Sequence, residues 1–138
     1  MTDINAVAKQ FTDFYYTTFD TNRASLQGLY PAFLINASST SVQRAHSMLT
    51  FEGSQILGVT DITEKLTSLP FQKVQHKVTT LDAQPSDPTM SNMIVSVTGL
   101  LLVDDNENPL QFSQVFQLVP EGGSFYVFND IFRLNYGA

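Results

Sequence analysis

In the C-terminal part of this 138-residue chain, three strand-length segments, Asn92 to Val103, Gln111 to Val119 and Ser124 to Asn135, carry apolar residues on both alternating faces. Within the last, Tyr126, Phe128, Phe132 and Leu134 share one parity, and Phe125, Val127 and Ile131 share the other. A strand with one face in water alternates apolar with polar, so this pattern predicts burial on both sides. An antiparallel sheet packs one face on its own core, and the second face then needs another cover. A chain this short has too few helices to supply it, so the pattern predicts a second copy of the same sheet and a homodimer. Val97, Val127 and Ile131 are the residues expected in or near that contact.

At 138 residues the chain fits one domain with room for one core. An apolar content of 43%, including eleven Phe, against 14% charged excludes disorder and a coiled coil. The net charge of -6 disfavours nucleic acid, whose phosphates need a basic stripe, and suits a basic protein partner. With no Cys, disulfides and thiolate chemistry are closed. His46 and His76 stand in no metal-ligand spacing, and no metal or cofactor is expected. No signal-like or membrane-spanning apolar run is present, so a soluble, intracellular chain is expected, and the sequon at Asn36 carries no meaning there.

Asp3 is a suitable N-cap for a helix with Ile4, Val7, Ala8, Phe11, Phe14, Tyr15 and Phe19 at helical spacing. A short second helix follows Asp20-Thr21-Asn22 and stops at Pro31. Pro31 to His46 has no clean period and reads as a surface loop. Ser47 to Glu52 and Ser54 to Leu57 form a hairpin around Gly53, and Thr60 or Asp61 caps a third helix that ends at Pro70. Lys73 to Asp82 is a long strand before the three already described. The class is therefore α+β. A curved, mostly antiparallel sheet wraps three helices in a single domain spanning residues 1–138, and it forms a cone with an apolar cavity at its open end.

Several strings then resemble a known family. They are Phe14-Tyr15-Tyr16 with Phe19-Asp20, Leu49-Thr50-Phe51-Glu52-Gly53, Ser68-Leu69-Pro70-Phe71-Gln72-Lys73-Val74-Gln75-His76, and Phe128-Asn129-Asp130-Ile131-Phe132-Arg133-Leu134. Their order and spacing resemble the nuclear transport factor 2 family, most closely its fungal form. Pro31 to His46 departs, since the family makes this connection with far fewer residues, and reads as an inserted loop or a splicing variant.

The resemblance implies a homodimeric carrier, not an enzyme. It would bind the small GTPase Ran in its GDP form and Phe-Gly repeats of nuclear pore proteins, and move between cytoplasm and nucleus with enrichment at the pore. It also implies site residues. The Ran-binding rim falls on Glu52 and Asp104, with Asp105 and Glu107 beside them, and the cavity on Phe51, Leu69, Val74 and Phe132. Ile4 stands where the family often has an aromatic for the repeats.

Two rival readings remain open at this stage. Asp130 among apolar neighbours, with Tyr15, Tyr16 or His76, suits a cavity enzyme of isomerase or dehydratase type. His76, alternating with Val74 and Val78, also suits a purely structural role. An export-adaptor branch of the same fold would lack rim acids, which Glu52 and Asp104 supply.

Overall fold

A computed structural model describes residues 3–28, 47–70, 73–89, 91–104, 108–121 and 124–135. Helix α1 spans Ile4–Thr21 and a 3-10 segment Arg23–Gly28, followed by β1 Met48–Phe51, β2 Ser54–Leu57 and α2 Val59–Thr67. The long strands are β3 Val74–Pro85, β4 Met93–Val103, β5 Leu110–Glu121 and β6 Ser124–Asn135. They form one sheet in the order β2-β1-β6-β5-β4-β3, antiparallel except where β1 runs parallel to β6. The predicted α+β class holds. The second helix is 3-10 in geometry, and the predicted inserted loop lies outside the described residues.

Asp3 caps α1 as expected, its Oδ1 accepting the Asn5 and Ala6 N–H groups at 3.0 and 3.3 Å. The stripe Ala8, Phe11, Tyr15, Tyr16 and Phe19 faces the sheet and is buried. Helix α2 begins two to three residues earlier than the expected caps, Thr60 or Asp61, would place it. Gly58, at φ 92, is the N-cap and supplies no side-chain cap. Its left-handed backbone turns the chain directly out of β2, so Asp61 falls inside the first turn, where its charge faces the helix N-terminus.

A bulge in β6 decides which face its residues meet. In β6, Gln117 pairs Asn129 while Leu118 pairs Val127, so Phe128 is the extra residue and parity flips across it. Val127 therefore points inward, 0% exposed, while Ile131 points outward at 51%. This corrects the assignment of Val127 to the dimer contact. Val97 is also fully buried, on the helix-facing side of β4, and has no surface left to offer a second copy. Ile131 alone of the three is accessible.

The core centres on Phe116, fully buried with its ring edge-on to Phe11 and Tyr15 at centroid distances of 5.0 and 4.8 Å. Truncating Phe116→Ala removes the ring that joins helix to sheet and leaves a cavity. We expect a loss of about 3–5 kcal/mol, read as a lower urea midpoint with an unchanged slope.

Candidate functional site

Beyond the end of α1 the sheet and helix diverge and leave an apolar cavity of about 210 Å³. Phe51 and Phe132 line it as expected, their rings stacked at 4.9 Å and 11°. Phe112 continues the stack behind Phe132 at 5.7 Å, and the Lys65 ammonium stands 5.5 Å over the Phe51 ring. Leu101, Val103, Leu110, Leu134 and Phe19 complete the apolar wall.

Leu69 and Val74 are not part of that lining. Leu69 is half-buried against the core, and Val74 is buried opposite Val103 in the β3–β4 register. Leu101, Val103, Leu110 and Leu134 were missed by sequence reasoning. The available signal was the shared parity of Leu101 and Val103 with Leu110 across one turn, and of Leu134 with Phe132 on β6.

Among the described residues His76 is the one polar residue of the lining. Asp20, in the last turn of α1, accepts its backbone N–H at 2.9 Å and contacts its Nδ1 at 2.6 Å. Tyr16, Phe19 and Phe112 surround the imidazole at 4.6 to 5.4 Å. The ring is held in place by a carboxylate and three aromatic rings.

Two of the expected rim acids sit at the ends of cavity-lining strands. Glu52 follows Phe51 and Asp104 follows Val103, and both adopt left-handed backbone, at φ 51 and 52. Glu52 and Gly53 form the two-residue turn between β1 and β2, with Phe51 opposite Ser54. Both central residues have positive φ, the geometry of a type I′ turn, in which Asn-Gly is the usual pair. Glu52 donates its N–H to the Phe132 carbonyl at 3.0 Å, and its carboxylate accepts the N–H of Leu134. Asp104 exchanges bonds with Lys73: its N–H reaches the Lys73 carbonyl at 2.7 Å, and its Oδ1 accepts the Lys73 N–H at 2.9 Å. A non-glycine residue in this backbone region costs on the order of 1 kcal/mol or more, and such positions concentrate at functional sites. Asp105 and Glu107 lie outside the described residues.

The residues of the enzyme reading separate. Asp130, 1% exposed, sits in the core and not on the cavity wall, accepting from Gln114 Nε2 at 2.7 Å and from the Tyr15 hydroxyl at 3.3 Å. Tyr16 donates to Gln114 Oε1 at 2.9 Å, which closes a buried polar chain between α1, β5 and β6. Ile4 is half-buried in the first turn of α1 and packs against the core.

The nuclear transport factor 2 (NTF2) domain description matches residues 7–134. The chain belongs to the nuclear transport factor 2 family. It is 57% identical over 136 residues to nuclear transport factor 2 of Eremothecium gossypii, with 99% of this chain and 98% of the relative covered. Against that of Saccharomyces cerevisiae it is 56% identical with the same coverage. The solved nuclear transport factor 2 of Cryptosporidium parvum superimposes with a TM-score of 0.80 at 45% identity, covering 96% of this chain and 94% of that one. This membership supports a nuclear transport role.

Tyr16 titrates well above the ordinary phenol value, chiefly because it is buried and further because Tyr15, Asp130 and Asp20 oppose a second negative charge. Above about pH 10 the unfolded chain sheds this proton while the native chain keeps it. The unfolded state then binds fewer protons, so stability falls as pH rises. Tyr16→Phe should flatten that alkaline fall in melting temperature, while near pH 7 it costs about 1 kcal/mol for the hydrogen bond lost to Gln114.

Proposed function

We propose that this protein is a nucleocytoplasmic transport carrier whose cavity receives an aromatic side chain of Ran in its GDP form. Glu52 and Asp104, with Asp105 and Glu107, meet basic residues that flank that side chain. The observation that carries this reading is the pairing of an apolar cavity with two acids held in left-handed backbone at the ends of its lining strands. An apolar anchor ringed by charge is the usual layout of an interface hot spot. Size points the same way. At about 210 Å³ the cavity is smaller than the roughly 300–1,000 Å³ of small-molecule sites.

The second reading, a cavity enzyme, draws on the Asp20–His76 pair, which could hold a proton acceptor in place. Proton transfer also needs a group to stabilise the charge that develops on the substrate. Every other described residue of the lining is apolar, which favours the carrier.

The carrier works as a sheet-to-sheet homodimer in this proposal, with the outer face of β4, β5 and β6 as the contact. Ile131 is its exposed residue, with half-buried Val115 opposite it on β5 and half-buried Tyr126 farther along β6. Ile4 contributes to binding of Phe-Gly repeats, and the segment 31–46 is an insertion on the single domain. The protein moves between cytoplasm and nucleus and concentrates at the pore.

Asp104→Lys or Glu52→Lys should weaken binding of GDP-loaded Ran by on the order of 10²-fold, with circular dichroism unchanged. Wild-type protein should not bind GTP-loaded Ran. Equal affinity of the reversed variants in a titration at two ionic strengths would rule out the rim. Independently, Ile131→Asp should convert a dimer mass to a monomer mass in light scattering at micromolar concentration, since a stable interface of at least ~1,000 Å² cannot bury an unpaired carboxylate.

A further inference from the structure

A second concavity lies at the other wall of the hairpin. Strand β2 and helix α2 enclose an open groove of about 450 Å³ that, among the described residues, shares no lining residue with the apolar cavity. The helix and its C-cap contribute Asp61, Glu64, Lys65 and Ser68, a stripe at i, i+3, i+4 and i+7. Among the described residues the sheet ends at β2. Phe51 pairs Ser54 across the turn, and Gly58 donates its N–H to the Ser47 carbonyl at 2.8 Å. In an antiparallel ladder the inward-bonding residues alternate, so Gln55 and Leu57 turn their N–H and C=O groups away from β1. The Leu57 side chain is 51% exposed beside them.

We propose that this groove takes an extended, basic peptide segment of a protein partner, which adds to β2 as a further strand. Backbone bonds to Gln55 and Leu57 would give affinity, and alternate Lys or Arg side chains would reach Asp61 and Glu64. The charge fits one sign of partner. The stripe has two exposed carboxylates against one ammonium, and that ammonium is directed onto the Phe51 ring. The lengths also fit. Four strand residues span roughly 13 Å, and the seven-residue step from Asp61 to Ser68 spans about 10 Å. A segment of about four residues would occupy both walls.

The test uses the full chain and an eight-residue peptide alternating Lys and Val, with a variant carrying Pro at a central position and another carrying Glu for Lys. Titration followed by amide NMR should give saturable shifts centred on Gln55 and Leu57. The Glu peptide should give none, and the Pro peptide should bind at least tenfold more weakly because it lacks a strand N–H. Asp61→Lys should weaken the Lys peptide by about tenfold, whereas Asp13→Lys, the same charge change on the exposed surface of α1, should not. Glu64→Lys, in the body of α2, repeats the test if Asp61→Lys loosens the start of the helix. Shifts centred elsewhere, equal binding of the Pro peptide, or equal loss in Asp13→Lys would overturn the proposal. So would concentration-dependent protection of the Gln55 and Leu57 amides without peptide, which would make a second copy the occupant.

Discussion

The seating of α1 in the concave face of the sheet is the constraint on which the rest depends. Phe11, Tyr15 and Tyr16 interlock edge-on with Phe116, and Tyr16 with Phe112, so one end of the cone is filled. The helix ends at Thr21 while β4, β5 and β6 continue, and the unfilled remainder is the cavity. Asp20 fixes where that helix ends. By holding both the backbone N–H and the ring of His76, it ties the last turn of α1 to β3 and so sets the cavity floor. Core and cavity are two results of one helix length.

Apolar rings alone would let α1 slide or rotate by small amounts, because dispersion is not directional. The chain Tyr16–Gln114–Asp130–Tyr15 supplies direction. Its donors and acceptors match only when both tyrosines stand over β5 and β6 in one register, and a mismatch would strand buried polar atoms at about 1–3 kcal/mol each. This is also why Asp130 is a poor general base: its oxygens already accept from the groups that fix the helix, on the wrong side of the wall from the cavity.

Much of this was legible in the sequence. Asp3 and the stripe from Ala8 to Phe19 specified α1, because capping and helical spacing are local chemistry. The apolar residues on both parities of β4 and β5 specified two long strands, and Phe51, Phe132, Glu52 and Asp104 were named for the site through family resemblance. What was hidden is non-local. The Phe128 bulge is a property of the β5–β6 pairing, so parity counted along β6 alone put Val127 on the wrong face. Gly58 capped α2 through backbone geometry, which no side-chain capping pattern could announce. Leu69 and Val74 were displaced from the cavity by Leu101, Val103, Leu110 and Leu134, whose convergence depends on the curvature of the whole sheet.

The hairpin β1–β2 joins the proposed surfaces. Its turn places Glu52 in a backbone region where asparagine would sit more easily, and the carboxylate bond to the Leu134 N–H offsets part of that cost. A Glu side chain on an open loop would lose rotamer freedom on meeting a partner, but this one is already ordered by β6. Asp104 is ordered the same way by Lys73, on the far side of the cavity wall. Charge at the rim is thus set by backbone geometry before any partner arrives. The same hairpin geometry turns Gln55 and Leu57 outward on β2. A change that relaxed the Glu52 turn would therefore disturb both the rim and the edge strand, although the two concavities share no described lining residue.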